Sequence, residues 1–153
     1  MDYQILTIHA GLPRFDELVN GIMANDDLVE QMWADAEHVP DDFTGATLSM
    51  VLVDGVPAAW AGSTEEEEIS GAPMLRCCLN YERRGPGRDL GLYAEAYAHR
   101  HRTVVEPSGV PAVTYLFAEP IAPHEADGWR RTGHTGMSDQ GHRWWGLHRE
   151  PTA

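Results

Sequence analysis

Hydrophobic and polar positions follow two periods along this chain, and each change of period predicts an element. YQILTI, residues 3–8, alternates as a first strand does. Past Gly11 and Pro13, the apolar residues Phe15, Leu18, Val19 and Ile22 recur at helical spacing, so RFDELVNGIM reads as a helix. Asn25 suits the N-cap of a second helix with Leu28, Val29, Met32, Trp33 and Ala36 as its apolar stripe, ended by PDDFTG. The clearest signal comes next: TLSMVLV and VPAAWAG flank Asp54-Gly55, a two-residue hairpin turn. After STEEEE, the run PMLRCCLNY (73–81) predicts a third strand of the same sheet.

Residues 89–102 return to helical spacing through Leu92, Tyr93, Ala96, Tyr97 and Arg100. PAVTYLFAE then predicts a strand, PHEADGW a short helical turn and HRWWGLHRE a last strand. That order is α+β in a single domain over residues 1–153, with a mixed, mostly antiparallel sheet flanked by helices. The helix at 89–102 allows one parallel crossover into the 112–117 strand.

Composition narrows the class. The hydrophobic fraction of 42% is too high for disorder along the whole length. No apolar run approaches the roughly 20 residues of a membrane-spanning helix. The N-terminal MDYQILTIHAGLPRF lacks the basic start of a secretory signal, so a cytoplasmic protein is expected. Formal net charge is −13, from 24 acidic and 11 basic residues, which disfavours nucleic acid and anionic membranes as partners and tolerates a cationic small molecule. Every basic residue is an arginine, in keeping with a high-GC bacterial or phage genome. The adjacent Cys77 and Cys78 fit two small thiols rather than a disulfide or a zinc motif. His99 and His101 lie two apart on a helix and diverge by about 200°, so no metal site is expected.

The loop between the third strand and the following helix carries the chemistry. Gly85 and Gly87 remove the Cβ atoms that would block close approach, and the amides of the next helical turn face the strand end. That geometry suits a pyrophosphate, and Arg83, Arg84 and Arg88 add local positive charge. GPGRDLG also fits a dinucleotide-type GxGxxxG. That reading needs an N-terminal βαβ unit, and too few residues follow here for a doubly wound domain.

NYERRGPGRDLGLY resembles the loop of GCN5-related N-acetyltransferases, whose common form is P-E-x-R-G-x-G-x-G-x-x-L-L. Glu82, Arg84, Gly85 and Gly87 fall in register, Leu92 and Tyr93 take the paired apolar places, Tyr81 replaces the proline and Asp89 replaces a glycine. HEADGW (124–129) resembles the family's Y-E-x-x-G-F, with His124 at the tyrosine position, and GWRRTG with HRWWGLHRE resembles its final strand pair. The resemblance covers residues 45–150.

It implies acetyl transfer from acetyl-CoA to a primary amine of a small, cationic acceptor by direct attack. A catalytically degenerate CoA-binding regulator and acetylation of a macromolecule are the alternatives. The implied cofactor contacts are Leu79, whose backbone polarises the thioester, with Tyr81, Arg83, Arg84, Gly85, Pro86, Gly87, Arg88 and Asp89. His124 is the implied acid and Glu82 the first candidate base. Trp33, Glu65, Glu66 and Trp144 are the implied acceptor contacts, and a homodimer is left open.

Overall fold

The computed structural model describes residues 3–25, 27–30, 43–67, 71–83, 90–116, 121–137 and 143–151. Strand β1 (Tyr3–His9) leads into helix α1 (Pro13–Met23), and residues 27–30 are helical. Asn25 Oδ1 accepts from the Leu28 N–H at 3.1 Å, which makes it the expected N-cap. Replacing Asn25 with Ala should lower unfolding stability by about 1 kcal/mol, read as a drop in denaturant midpoint.

The predicted hairpin forms from β2 (Thr47–Val53) and β3 (Val56–Glu67). Asp54 (φ 52°) and Gly55 (φ 78°) both take left-handed backbone, as a tight two-residue turn requires. The single strand expected over 73–81 is interrupted. It forms β4 (Pro73–Arg76) and β5 (Tyr81–Glu82), separated by residues 77–80.

Helix α2 (Leu90–Arg100) continues as a π-helical turn, His101–Val105, and ends in one α-turn, Glu106–Ser108. Thr103 Oγ1 donates back to the His99 carbonyl at 2.7 Å, and Pro107 brings no N–H to the ladder. Both loosen a regular helix at this point. The chain closes with β6 (Ala112–Leu116), helix α3 (Ile121–Ala126), β7 (Arg130–Met137) and β8 (Arg143–Arg149). Strand β7 has no apolar alternation to announce it, because as the sheet's edge it is exposed along most of its length.

The strands run in the order β1-β2-β3-β4-β6-β8-β7, with β5 extending along β3. All described pairings are antiparallel except β4 with β6, the crossover made by α2. Two apolar layers flank the sheet. Phe15 and Val19 of α1 pack on Leu48, Met50, Trp60 and Tyr81, while Leu92 and Ala96 of α2 pack on Val51, Ala59 and Ala61. A third cluster, on the α2 side, joins Leu75, Cys77, Val105, Trp129 and Leu147. No helix among the described residues is long and apolar enough to cross a membrane.

Candidate active site

The interruption between β4 and β5 builds the site. Thr64 pairs with Arg76 and Trp60 with Tyr81, so residues 77–80 face 61–63, four against three. One extra residue makes a bulge, and a bulge kinks its strand. Leu79 absorbs the kink with φ 67°, at a cost of about 1–2 kcal/mol for a side chain other than glycine.

Polar groups from three elements offset that cost. Trp60 Nε1 donates to the Leu79 carbonyl at 2.6 Å in a buried setting. The Gly62 N–H donates to Asn80 Oδ1 at 3.1 Å. The buried Arg100 guanidinium donates to the Gly62 carbonyl at 2.9 Å and to Asn80 Oδ1 at 3.1 Å. Arg100 and Asn80 thus replace ladder bonds that the bulge removes. Gly62 is required by close approach: a Cβ there would lie 2.4 Å from the Cys78 carbonyl oxygen.

On its other side, β4 keeps β6 only briefly. The Leu75 N–H donates to the Pro111 carbonyl, the Cys77 N–H to Val113 at 2.8 Å, and Thr114 Oγ1 to the Cys77 carbonyl at 2.6 Å. Beyond Cys77 the chain follows β3 through β5, whereas β6 stays with β8, so the two parallel strands part. Among the described residues nothing accepts from the Leu79 N–H at this fork. Burial raises the thiols of Cys77 and Cys78 above their ordinary range, against the opposing pull of Arg100 on the first and Arg76 on the second, so both stay neutral.

Directly paired residues share a face of the sheet, which sorts the expected site residues. Glu82 pairs with Ala59 and lies on the α2 side, where burial, with Glu82 among the lesser causes, raises the Tyr93 phenol. His124 is also on that side. It is buried, with its ring edge-on to Tyr97 at 5.1 Å and to Trp129 at 5.9 Å. Tyr97 donates its hydroxyl to Asp127 Oδ2 at 3.1 Å, and burial followed by the Asp127 charge pushes its pKa far above the ordinary phenol value. Tyr81, by contrast, is core on the α1 side, against Trp60.

Glu65 and Glu66 point to opposite faces. Glu65 pairs with the core residue Leu75, while Glu66 pairs with Met74 on the α1 side and lies 3.6 Å from Arg76. Trp144 of β8 shares that side with His148, which pairs with Val113 beside Arg76, and its indole covers Gly136 so closely that a Cβ there would fall 2.6 Å from the ring. Arg83 follows β5, its N–H donating to the Ala58 carbonyl at 2.8 Å. Its side-chain Nε is buried with no acceptor among the described residues. Trp33, Arg84, Gly85, Pro86, Gly87, Arg88 and Asp89 lie outside the described residues.

Sequence reading missed Arg100, Asn80 and Gly62. The signal for Arg100 was present: it continues the apolar stripe of Leu92, Tyr93, Ala96 and Tyr97, the position of a buried cation.

The parted parallel strands, the bulge at the fork and the α2 crossover form a recognisable whole. An acyl-CoA N-acyltransferase from Pseudomonas aeruginosa superposes with a TM-score of 0.63 at 16% identity, covering 97% of this chain and 99% of that one. The NatC complex bound to Gag peptide and CoA gives a TM-score of 0.69 at 8% identity, covering 99% and 100%. The chain has the GCN5-related N-acetyltransferase fold. A putative N-acetyltransferase from Lactobacillus plantarum matches likewise, with a TM-score of 0.65 at 15% identity over 97% of this chain and 99% of that one. No family model and no curated protein matches the sequence. At these identities the likeness carries the acetyltransferase fold, and the chemistry must be argued from the residues.

Proposed function

We propose that the protein is an acyl-CoA-dependent N-acyltransferase moving an acetyl group from acetyl-CoA to a primary amine. The observation that carries this reading is the fork between β5 and β6, with the Leu79 N–H held there by a bulge and engaged by nothing among the described residues. Solved neighbours of the same fold include an acyl-CoA N-acyltransferase and a complex holding CoA. Arg83 fits the donor as well, since among the described residues nothing accepts from its buried Nε and a phosphate oxygen would.

In this reading acetyl-CoA supplies an activated carbonyl. The Leu79 N–H donates to the thioester oxygen as negative charge grows on it, without reorganisation, because Trp60 and Asn80 fix the bulge. The amine nitrogen bonds to the carbonyl carbon and the carbon–sulfur bond breaks. His124 gives a proton to the departing sulfur, and Glu66 or water on the opposite face takes the proton that the amine loses. The products are an amide and a free thiol. Glu82, the first candidate base, lies on the α2 side, across the sheet from Glu66.

Acetyl-CoA at about 100 times its dissociation constant should stabilise the protein by about 2.7 kcal/mol, several degrees in Tm, whereas NAD and ATP should leave Tm unchanged. Release of free thiol with a panel of amines then separates an enzyme from a CoA-binding regulator. An equal shift with NAD, or none with acetyl-CoA, would remove the proposal.

A further inference from the structure

Arg100 carries a positive charge that the fold leaves unanswered. It ends α2 and is 2% exposed, and a buried charge is costly unless an opposite charge meets it. Its Nη1 makes both of its hydrogen bonds, to the neutral Gly62 carbonyl and the neutral Asn80 side-chain oxygen. Its Nε is buried without an acceptor, and no carboxylate among the described residues lies within ion-pair distance of it. Four weak acids feel the charge, Cys77 and Cys78 on the bulge and Tyr93 and Tyr97 on α2. Burial is the larger cause in each and keeps all four neutral. A neutral amide has donors enough for the two oxygens that Nη1 holds, so bracing the bulge does not account for the charge.

Position indicates which anion would answer it. The guanidinium bonds Asn80, the residue after Leu79, and lies over the Tyr97 ring at 5.3 Å, whose far contact is His124 at 5.1 Å. It therefore stands between the bulge and the group given the proton-donor role. The diphosphate expected ahead of α2 is out of reach, because Leu90 and Arg100 are separated by about 15 Å of helix. Two negative charges arise in the proposed transfer. The carbonyl oxygen has the Leu79 N–H, and the sulfur departs on the side of α2 and His124.

Resting on the transferase reading above, we infer that Arg100 is the fixed cation that stabilises negative charge on the donor's sulfur as the acetyl group leaves it. The amine nitrogen bonds to the acetyl carbon, the carbon–sulfur electron pair passes to sulfur, and His124 supplies the proton that completes the free thiol. Arg100 gives up no proton and forms no bond. It acts through its field, which a water-poor interior leaves strong.

The test is calorimetry of CoA and of desulfo-CoA, which has hydrogen in place of the thiol. A cation near the sulfur favours its thiolate, so the wild-type preference for CoA over desulfo-CoA should rise about tenfold from about pH 6.5 to about pH 9.5. The sign follows from linkage: the gain is full above the pKa of the free thiol and lost as pH falls through that of the bound one. Arg100→Gln should hold the preference flat, and Arg100→Lys, which keeps the charge, should restore the rise. His124 is common to all three proteins, so the difference among them reads Arg100. If Arg100 only braces the bulge, Arg100→Gln will weaken both compounds equally and keep the rise, which overturns the inference. A flat preference in the wild type overturns it too, whether or not Arg100→Gln folds, and leaves the transferase reading intact. Failure of the wild type to bind either compound overturns the transferase reading and the inference with it.

Discussion

Gly62→Ala is expected to destabilise the fold by about 3 kcal/mol and to remove the stabilising response to acetyl-CoA. The added methyl would lie 2.4 Å from the Cys78 carbonyl oxygen, 2.9 Å from Leu79 Cβ and 3.0 Å from Leu48 Cδ2. Two of these contacts lie on the bulge itself, and the nearest is backbone, which has no rotamer by which to escape. Nor is Gly62 free to retreat, because its N–H is held by Asn80 and its carbonyl by Arg100. The strain must therefore move residues 78–79, and with them the Leu79 N–H that the proposed chemistry uses.

Gly21→Ala is the natural control. It sits in α1 with nothing within 4 Å of a Cβ, so the same substitution should be neutral or stabilise by up to about 1 kcal/mol. Denaturant midpoints of the two variants, with Tm measured with and without acetyl-CoA, give the comparison. A Gly62→Ala protein as stable as the wild type, with its acetyl-CoA response kept, would show that the bulge is not rigid and would sink the role given to it.

The contrast between these two glycines also shows what the sequence could and could not say. Pattern made the hairpin at Asp54-Gly55, the N-cap at Asn25, the helix beginning near residue 90 and the parallel crossover legible, because each rests on local rules. The break at 77–80 was not legible. CCLN alternates no worse than its neighbours, and what interrupts it is a register conflict with β3 that only Gly62 and Arg100, 15 or more residues away, resolve. Strand β7 was legible only through the resemblance of GWRRTG with HRWWGLHRE to a final strand pair. An exposed edge needs no apolar face, so its polar residues carried no period to read.

The same limit divided the site. Two neighbouring glutamates, Glu65 and Glu66, look alike in sequence, yet pairing sends one beside Leu75 and the other beside Arg76. His124 was expected where the family places a tyrosine, and its sequence context is that of a short exposed turn. Its burial comes from Tyr97 and Trp129, one on α2 and the other just before β7.

That enclosure makes His124 testable as the acid. His124→Phe keeps an aromatic ring of similar size between Tyr97 and Trp129 but holds no transferable proton. It should lower kcat by about 100-fold or more, within the usual range for a lost general acid, while the Tm rise with acetyl-CoA persists. Tyr97 is a poor substitute, since its hydroxyl already donates to Asp127 Oδ2 and its pKa is pushed far above the ordinary value by burial and that charge. It holds its proton too tightly, and towards the wrong partner. His124→Tyr brings a phenol of its own to the position and should recover part of the lost rate. If His124 serves only to fill the space between the two rings, His124→Phe will keep its kcat and show whatever change it makes in Tm alone, and the proton for the departing sulfur must then come from solvent.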